Sequence, residues 1–151
     1  MEKSERGTSI TLNTLKDNGF KRIGLWKNGE KDNKKLRLTG ILPEEMAVYL
    51  FVIGGKIQYV GKSENIRRRI IQYAKGINRG GRKVDKGVAK ALEDGQNVGV
   101  YMYAITKKQQ FFMRKGLLVD WVGGLERALI LKLSPPWNGI RKEPKNEQPR
   151  Q

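Results

Sequence analysis

The chain contains no histidine and no cysteine. The first absence removes His-ligated metal sites, imidazole general bases and Ser-His-Asp triads. The second removes disulfide frameworks, zinc fingers, thiolate nucleophiles and iron–sulfur ligation. Acidic residues are scarce too, 15 against 31 Lys and Arg, for a net charge of +16. The longest apolar stretch, Met46 to Gly55, is too short to span a bilayer. The first 15 residues carry charges and lack the apolar run that opens a signal peptide. The expectation is therefore a soluble, cytoplasmic protein. Any catalysis must be drawn from Tyr, Lys, Arg, Ser and carboxylates.

With 151 residues the length fits one compact domain. Hydrophobic residues at 38% and charged residues at 30% allow a modest core under a heavily charged surface. Such a surface collects polyanions, with DNA or RNA ahead of an anionic membrane. A membrane role is disfavoured because the basic segment lacks an amphipathic aromatic face. Half of the excess charge, +8, falls in residues 62–90, where ten basic groups meet two acidic ones. A solvated helix face mixes signs through i,i+4 pairs. This segment offers few acidic partners, so it reads as a phosphate-binding surface.

Residues 1–42 read as an N-terminal arm, irregular or edge structure, and 141–151 as a polar tail. The domain proper spans 43–140, with a basic helical insertion around 76–95. Ala47 to Ile53 is β-branched and aromatic, Lys56 to Val60 alternates, and Gly54-Gly55 joins them, which predicts a β-hairpin. Ser63 is placed to cap a helix running to about Lys75, with Ile66, Ile70 and Ala74 on its inner stripe and Arg69 and Tyr73 on a neighbouring face. Val84 to Asp94 reads as a helix closed by Gly95, and Val98 to Ile105 as a third strand. Residues 106–124 are ambiguous. Leu125 to Leu133 reads as a helix opened by Glu126 and halted by Pro135-Pro136. The fold class is α/β (α+β): a small three-stranded sheet, begun by a β-hairpin and flanked by helices.

Gly61-Lys62-Ser63 imitates the end of a phosphate-binding P-loop. The first glycine of that motif would have to be residue 56, which is Lys56, and the intervening residues read as strand. An NTPase is rejected.

The same residues fit another pattern. Ala47-Val48-Tyr49 and Tyr59-Val60-Gly61 place nine residues between two tyrosines; Lys62 follows at once, then Arg69, and much later Glu126 and Pro136-Trp137-Asn138. This constellation resembles the GIY-YIG nuclease family. Residues 59–69 carry the likeness most closely, and it extends over roughly 46–140, through Ile77-Asn78-Arg79 to Pro135-Pro136-Trp137-Asn138. Ala47 stands where the family has Gly, Val60 where it has Ile, and Tyr73 where many members carry histidine.

The resemblance implies a Mg²⁺-dependent DNA endonuclease, with Mn²⁺ as a substitute. Phosphodiester hydrolysis needs an activated water, stabilisation of charge at phosphorus and help for the leaving oxygen. Without His, a phenol can be the base if nearby positive charge lowers its pKa. Lys62 and a bound cation would supply that charge. The family gives Tyr49 the base role, with Tyr59 and Tyr73 orienting water and phosphate. Arg69 offers a planar fork matching phosphate oxygens. Taken alone, each tyrosine reads as packing. Glu126, taken alone, reads as an N-terminal helix acid favoured by the macrodipole. The resemblance makes it instead the single carboxylate ligand of Mg²⁺, a mode that suits an ion retaining most of its waters. Asn138 would support the site, and Trp137 reads as core. Arg67, Arg68, Lys75, Arg79, Arg82, Lys83, Lys86 and Lys90 read as contacts to the DNA backbone, giving affinity but little sequence choice.

One site cuts one strand, so cleavage of double-stranded DNA implies a homodimer or homotetramer. Two rival readings stay open: a sequence-specific restriction endonuclease, and a non-catalytic basic nucleic-acid-binding protein.

Overall fold

The computed structural model describes residues 10–28, 34–38, 42–77 and 82–139. The predicted hairpin is present as β3 (Met46–Ile53) and β4 (Lys56–Ser63). Gly54 and Gly55 turn it at φ +53° and +81°, the paired left-handed conformation that a tight two-residue hairpin demands. The predicted third strand, β5 (Val98–Ile105), pairs with the other edge of β3. β3 is thereby an interior strand, between β5 and β4, and every pairing in this sheet is antiparallel.

The sheet is wider than expected. β1 (Lys21–Asn28) joins β5, and β2 (Lys34–Leu38) joins β1, giving the order β2-β1-β5-β3-β4. The arm, read as irregular or edge structure, contributes two strands at the sheet's edge, preceded by a short helix, α1 (Leu12–Asp17). Lys21, Arg22, Gly24 and Lys27 hide β1 from a propensity reading, and a bulge between Arg22 and Gly24 breaks its alternation. Pairing with β5 and complete burial of Trp26 hold it in place.

β3 is an uninterrupted apolar run because both its faces are covered. Ala47, Tyr49 and Phe51 point into one core cluster with α2 (Ile66–Ile77) and α3 (Lys83–Glu93), through Ile66, Ile70, Tyr73, Val88 and Leu92. Val48, Leu50 and Val52 point into the other, with Leu15 of α1 and with Val122, Leu129 and Ile130 of α5 (Trp121–Leu133). Burying each such side chain contributes about 1.5–3 kcal/mol relative to exposure.

Helix boundaries differ from expectation at two points. Asn65, not Ser63, caps α2: its Oδ1 accepts from the Arg68 backbone N–H at 3.0 Å. Ser63 is the last residue of β4, and its Oγ bonds to the backbone of Asn65. α5 begins at Trp121, capped by Asp120, whose Oδ1 accepts from the Gly123 N–H at 3.1 Å. Glu126 therefore lies inside the helix rather than opening it. Gly123 and Gly124 have poor helix propensity and conceal that first turn. α3 closes as expected, with Gly95 at φ +80° and the Gln96 N–H returning to the Ala91 carbonyl.

The ambiguous stretch resolves into α4 (Lys107–Gln110) and a separate two-stranded hairpin, β6 (Phe111–Arg114) and β7 (Leu117–Asp120). After α5, a single 3-10 turn, Pro136–Asn138, ends the described chain beside β4. No helix among the described residues is long and apolar enough to cross a membrane.

Candidate active site

Three tyrosines from three elements meet on one face of the sheet. Tyr49 comes from β3, Tyr59 from β4 and Tyr73 from α2, with ring centroids 5.9–6.4 Å apart. The Tyr49 and Tyr73 hydroxyls share a buried hydrogen bond of 2.7 Å. Tyr49 pairs across β3–β4 with Gly61, and its ring lies over that residue. A Cβ on Gly61 would sit 2.5 Å from the Tyr49 hydroxyl, so only glycine leaves room. The glycine of the second motif is thus required by the tyrosine of the first.

Arg82 extends this cluster. Its guanidinium lies 4.4 Å from the Tyr73 ring centroid, a cation–π contact. Its Nε donates to the buried Asp85 carboxylate at 3.1 Å, and its backbone N–H donates to the same oxygen at 3.0 Å. Burial alone would lower the guanidinium, but the bonds to Asp85 hold it above its usual value. Arg82 was expected only as a phosphate contact; here it clamps Tyr73. Asp85 was not anticipated, although an acid three residues into a helix signals a carboxylate turned back to the N-terminus.

The pKa expected of Tyr49 is corrected. Burial, then the neighbouring phenols of Tyr73 and Tyr59, push it well above the ordinary value, and the opposing pull of Arg69 is smaller. Burial likewise raises Tyr73. The positive charge that reaches Tyr49 comes from Arg69 rather than from Lys62, and desolvation of a phenolate outweighs it. Tyr49 is a neutral phenol at physiological pH.

Lys62 and Arg69 line a cleft of about 520 Å³ where β4 ends, between the first turns of α2 and α5. Ser63, Arg68, Gln110 and Asp120 share its walls. The Lys62 Nζ and the Asp120 carboxylate converge over Gly123, where a Cβ would lie 3.3 Å and 2.5 Å from them. Asp120 is the cleft residue that motif reading missed; its signal was an Asp three residues before a glycine, a capping pattern. Lys62, Arg68 and Arg69 outnumber the Glu64 and Asp120 carboxylates in its lining, and with two helix N-termini close by the cleft is attractive to an anion.

Glu126 is half-buried on α5, one turn beyond Val122, about 6 Å along the axis. α5 packs on the face of the sheet opposite the tyrosines, and Lys62, opposite Val48 in the β3–β4 register, lies on the α5 side. Among the described residues no three His, Cys, Asp or Glu gather closely enough to cage a metal. A single carboxylate with water and phosphate oxygens is compatible with Mg²⁺.

Asn138 acts on the backbone. Its Oδ1 accepts from the Val60 N–H at 2.9 Å and its Nδ2 donates to the Val60 carbonyl at 2.8 Å. β4 is the sheet's edge, and Asn138 satisfies groups that a further strand would otherwise pair. Trp137, half-buried, lies against Gly87 of α3. Lys83, Lys86 and Lys90 form an exposed stripe along α3, and Arg67 and Arg68 are exposed on α2. Lys90 also meets Asp94 in an exposed pair of little energetic weight. The Lys75 side chain and Arg79 lie outside the described residues.

With this geometry in hand, the chain compares with known proteins as follows. It is 28% identical to endonuclease II of Enterobacteria phage T4 over 115 residues, 71% of this chain and 82% of that protein. The structure of a bacteriophage T4 EndoII mutant matches with a TM-score of 0.65 and 18% identity, covering 85% of this chain and 99% of that one. The restriction endonuclease HPY188I in complex with product DNA matches at a TM-score of 0.49 and 20% identity, over 93% of this chain and 88% of that one. No protein-family model matches. The GIY-YIG resemblance read from the motifs is borne out: the chain is homologous to T4 endonuclease II and has the fold of that nuclease.

Proposed function

We propose that the protein is a Mg²⁺-dependent GIY-YIG endonuclease that hydrolyses phosphodiester bonds of double-stranded DNA. The observation that supports this most is the tyrosine cluster, locked over Gly61, backing onto a cleft that presents Lys62 and Arg69. A backbone phosphate seats in that cleft, with the Arg69 fork on two of its oxygens and Lys62 on the developing negative charge. Tyr49 and Tyr73, buried and hydrogen-bonded to each other, fix the floor of the site as neutral phenols, and the half-buried Tyr59 beside them orients water and phosphate. Glu126 holds the metal, which when bound supplies charge to the phosphate and the leaving oxygen. Asn138 holds β4 straight beside Tyr59 and Gly61. The exposed cations of α2 and α3 grip the backbone on either side of the cut. Each protomer cuts one strand, so double-strand breaks come from a homodimer or homotetramer acting in the cytoplasm that holds the DNA.

Supercoiled plasmid tests this directly. Nicked and linear products are expected from the wild type with Mg²⁺, and neither with EDTA nor from Glu126→Ala. Plasmid that is bound yet stays intact with Mg²⁺ or Mn²⁺, whatever its sequence and modification, would leave a non-catalytic binding protein instead. A discrete ladder in place of a broad product distribution would identify a restriction-type specificity.

A further inference from the structure

α5 opens on an arrangement that capping alone does not explain. Asp120 is its N-cap, and the Oδ1 oxygen accepts from the Gly123 N–H at 3.1 Å. One oxygen completes the cap. The other, Oδ2, folds back over Gly123, and the Lys62 Nζ reaches the same spot from the end of β4. The two lie 2.5 Å and 3.3 Å from where a Cβ on Gly123 would be. Neither makes a hydrogen bond or ion pair among the described residues. The charges are neighbours with an open gap between them.

Gly123 permits this approach. It stands three residues after the cap, where a capping box would place Glu or Gln. Glycine is a poor helix residue, yet a Cβ here would collide with the Asp120 carboxylate. Gly124 meets nothing within 4 Å, so the crowding belongs to position 123.

The two partners are unequal. Asp120 has a short side chain held by the helix, whereas Lys62 has a flexible four-carbon stem and several donors. A fixed anion beside a mobile cation decides where the cation rests. Both line the cleft with Arg68, Arg69 and Glu64. A carboxylate there repels a phosphate, so its presence calls for a compensating effect.

We propose that Asp120 is a positioning residue: it draws the Lys62 ammonium over Gly123, so that one N–H faces the carboxylate and the others face the scissile phosphate. The inference rests on the DNA endonuclease reading and deepens the part given to Lys62. Charge already in place stabilises a transition state better than charge gathered during the reaction. Asp120 thereby weakens DNA binding and speeds cleavage.

Asparagine separates charge from capping, since Asn and Asp cap helices equally well. Asp120→Asn is expected to melt like the wild type and to bind duplex DNA in EDTA at least as tightly. Its kcat for plasmid nicking with Mg²⁺ should fall about tenfold, with KM unchanged or lower. NMR relaxation at the Lys62 Cε, assigned with Lys62→Arg, should show a more mobile side chain in the Asn variant. Asp120→Ala should match the Asn variant in kcat and melt lower, because it loses the cap as well. A purely structural cap predicts Asp120→Asn like the wild type and only Asp120→Ala impaired; that result overturns the proposal. So does a Lys62 equally mobile in both proteins, and a fall in kcat beside it would assign the carboxylate to metal or water. A wild type that never nicks, while Lys62 still loosens in the Asn variant, sustains the pairing and removes the nuclease reading alone.

Discussion

Tyr49 rests across Gly61, its hydroxyl 2.5 Å from where a Cβ on that glycine would be. The two residues face each other in register on β3 and β4, and that contact makes the tyrosine a core residue of the candidate site. Gly61→Ala is expected to cost about 1–3 kcal/mol through overpacking and to lower plasmid nicking at least tenfold by displacing the Tyr49 hydroxyl. Gly54→Ala is the control. Its site has open space and only the φ of +53° to resist, so it should lower the melting temperature and leave nicking per folded molecule unchanged.

Tyr49 and Tyr73 satisfy each other's hydroxyls in the interior. Tyr73→Phe strands the buried Tyr49 hydroxyl and should cost about 1–3 kcal/mol in urea unfolding, whereas Tyr49→Phe leaves Tyr73 its bond to Tyr59 and should cost less. The double substitution removes both, so its cost should fall below the sum of the singles. Additive costs would mean that the two hydroxyls are satisfied independently.

The same burial makes stability sensitive to alkali. Both phenols are raised above the ordinary value of 10.0, so the folded state retains protons that the unfolded state releases. Their contribution is complete below pH 10 and falls away as the pH rises above it. Chemical denaturation across pH 8–11.5 should show this decline (the window follows from the unperturbed phenol value of about 10), and Tyr49→Phe should flatten it. A steeper decline in the Phe variant would contradict the assignment.

Arg82 ties Asp85 to Tyr73. Arg82→Ala leaves the Asp85 carboxylate with less compensation and the Tyr73 ring uncovered, at a cost of about 1–2 kcal/mol. If Arg82 positions Tyr73, the variant lowers kcat more than it raises KM. If it serves only as a phosphate contact, KM moves alone. Arg82→Lys keeps the charge but not the fork, and should recover affinity for DNA without recovering kcat.

Much of this architecture was legible from local pattern. Gly54-Gly55 between β-rich runs, the alternation of β5 and the glycine closing α3 are short-range signals, and each appears where expected. The spacing of Tyr49, Tyr59, Arg69 and Tyr73 was legible for the same reason: a strand and the hairpin and helix that follow it bring those positions together with few long connections. What escaped had long-range causes. β1 carries too many cations to read as a strand and exists because β5 offers it an edge. β6 and β7 turn on Lys115-Gly116, a weak turn signal, and expose the apolar residues that normally mark a core. The first turn of α5 is hidden by two glycines, although Asp120 caps it.

Composition and spacing were enough for the chemistry available, the excess of positive charge and the identity of the tyrosines, since charge and residue type are properties of the chain itself. The protonation state of Tyr49 and the partners of Arg82 were not, because desolvation and a buried carboxylate arise only when distant segments pack. A residue's type is written in its own position; its environment is written in every segment that comes to surround it.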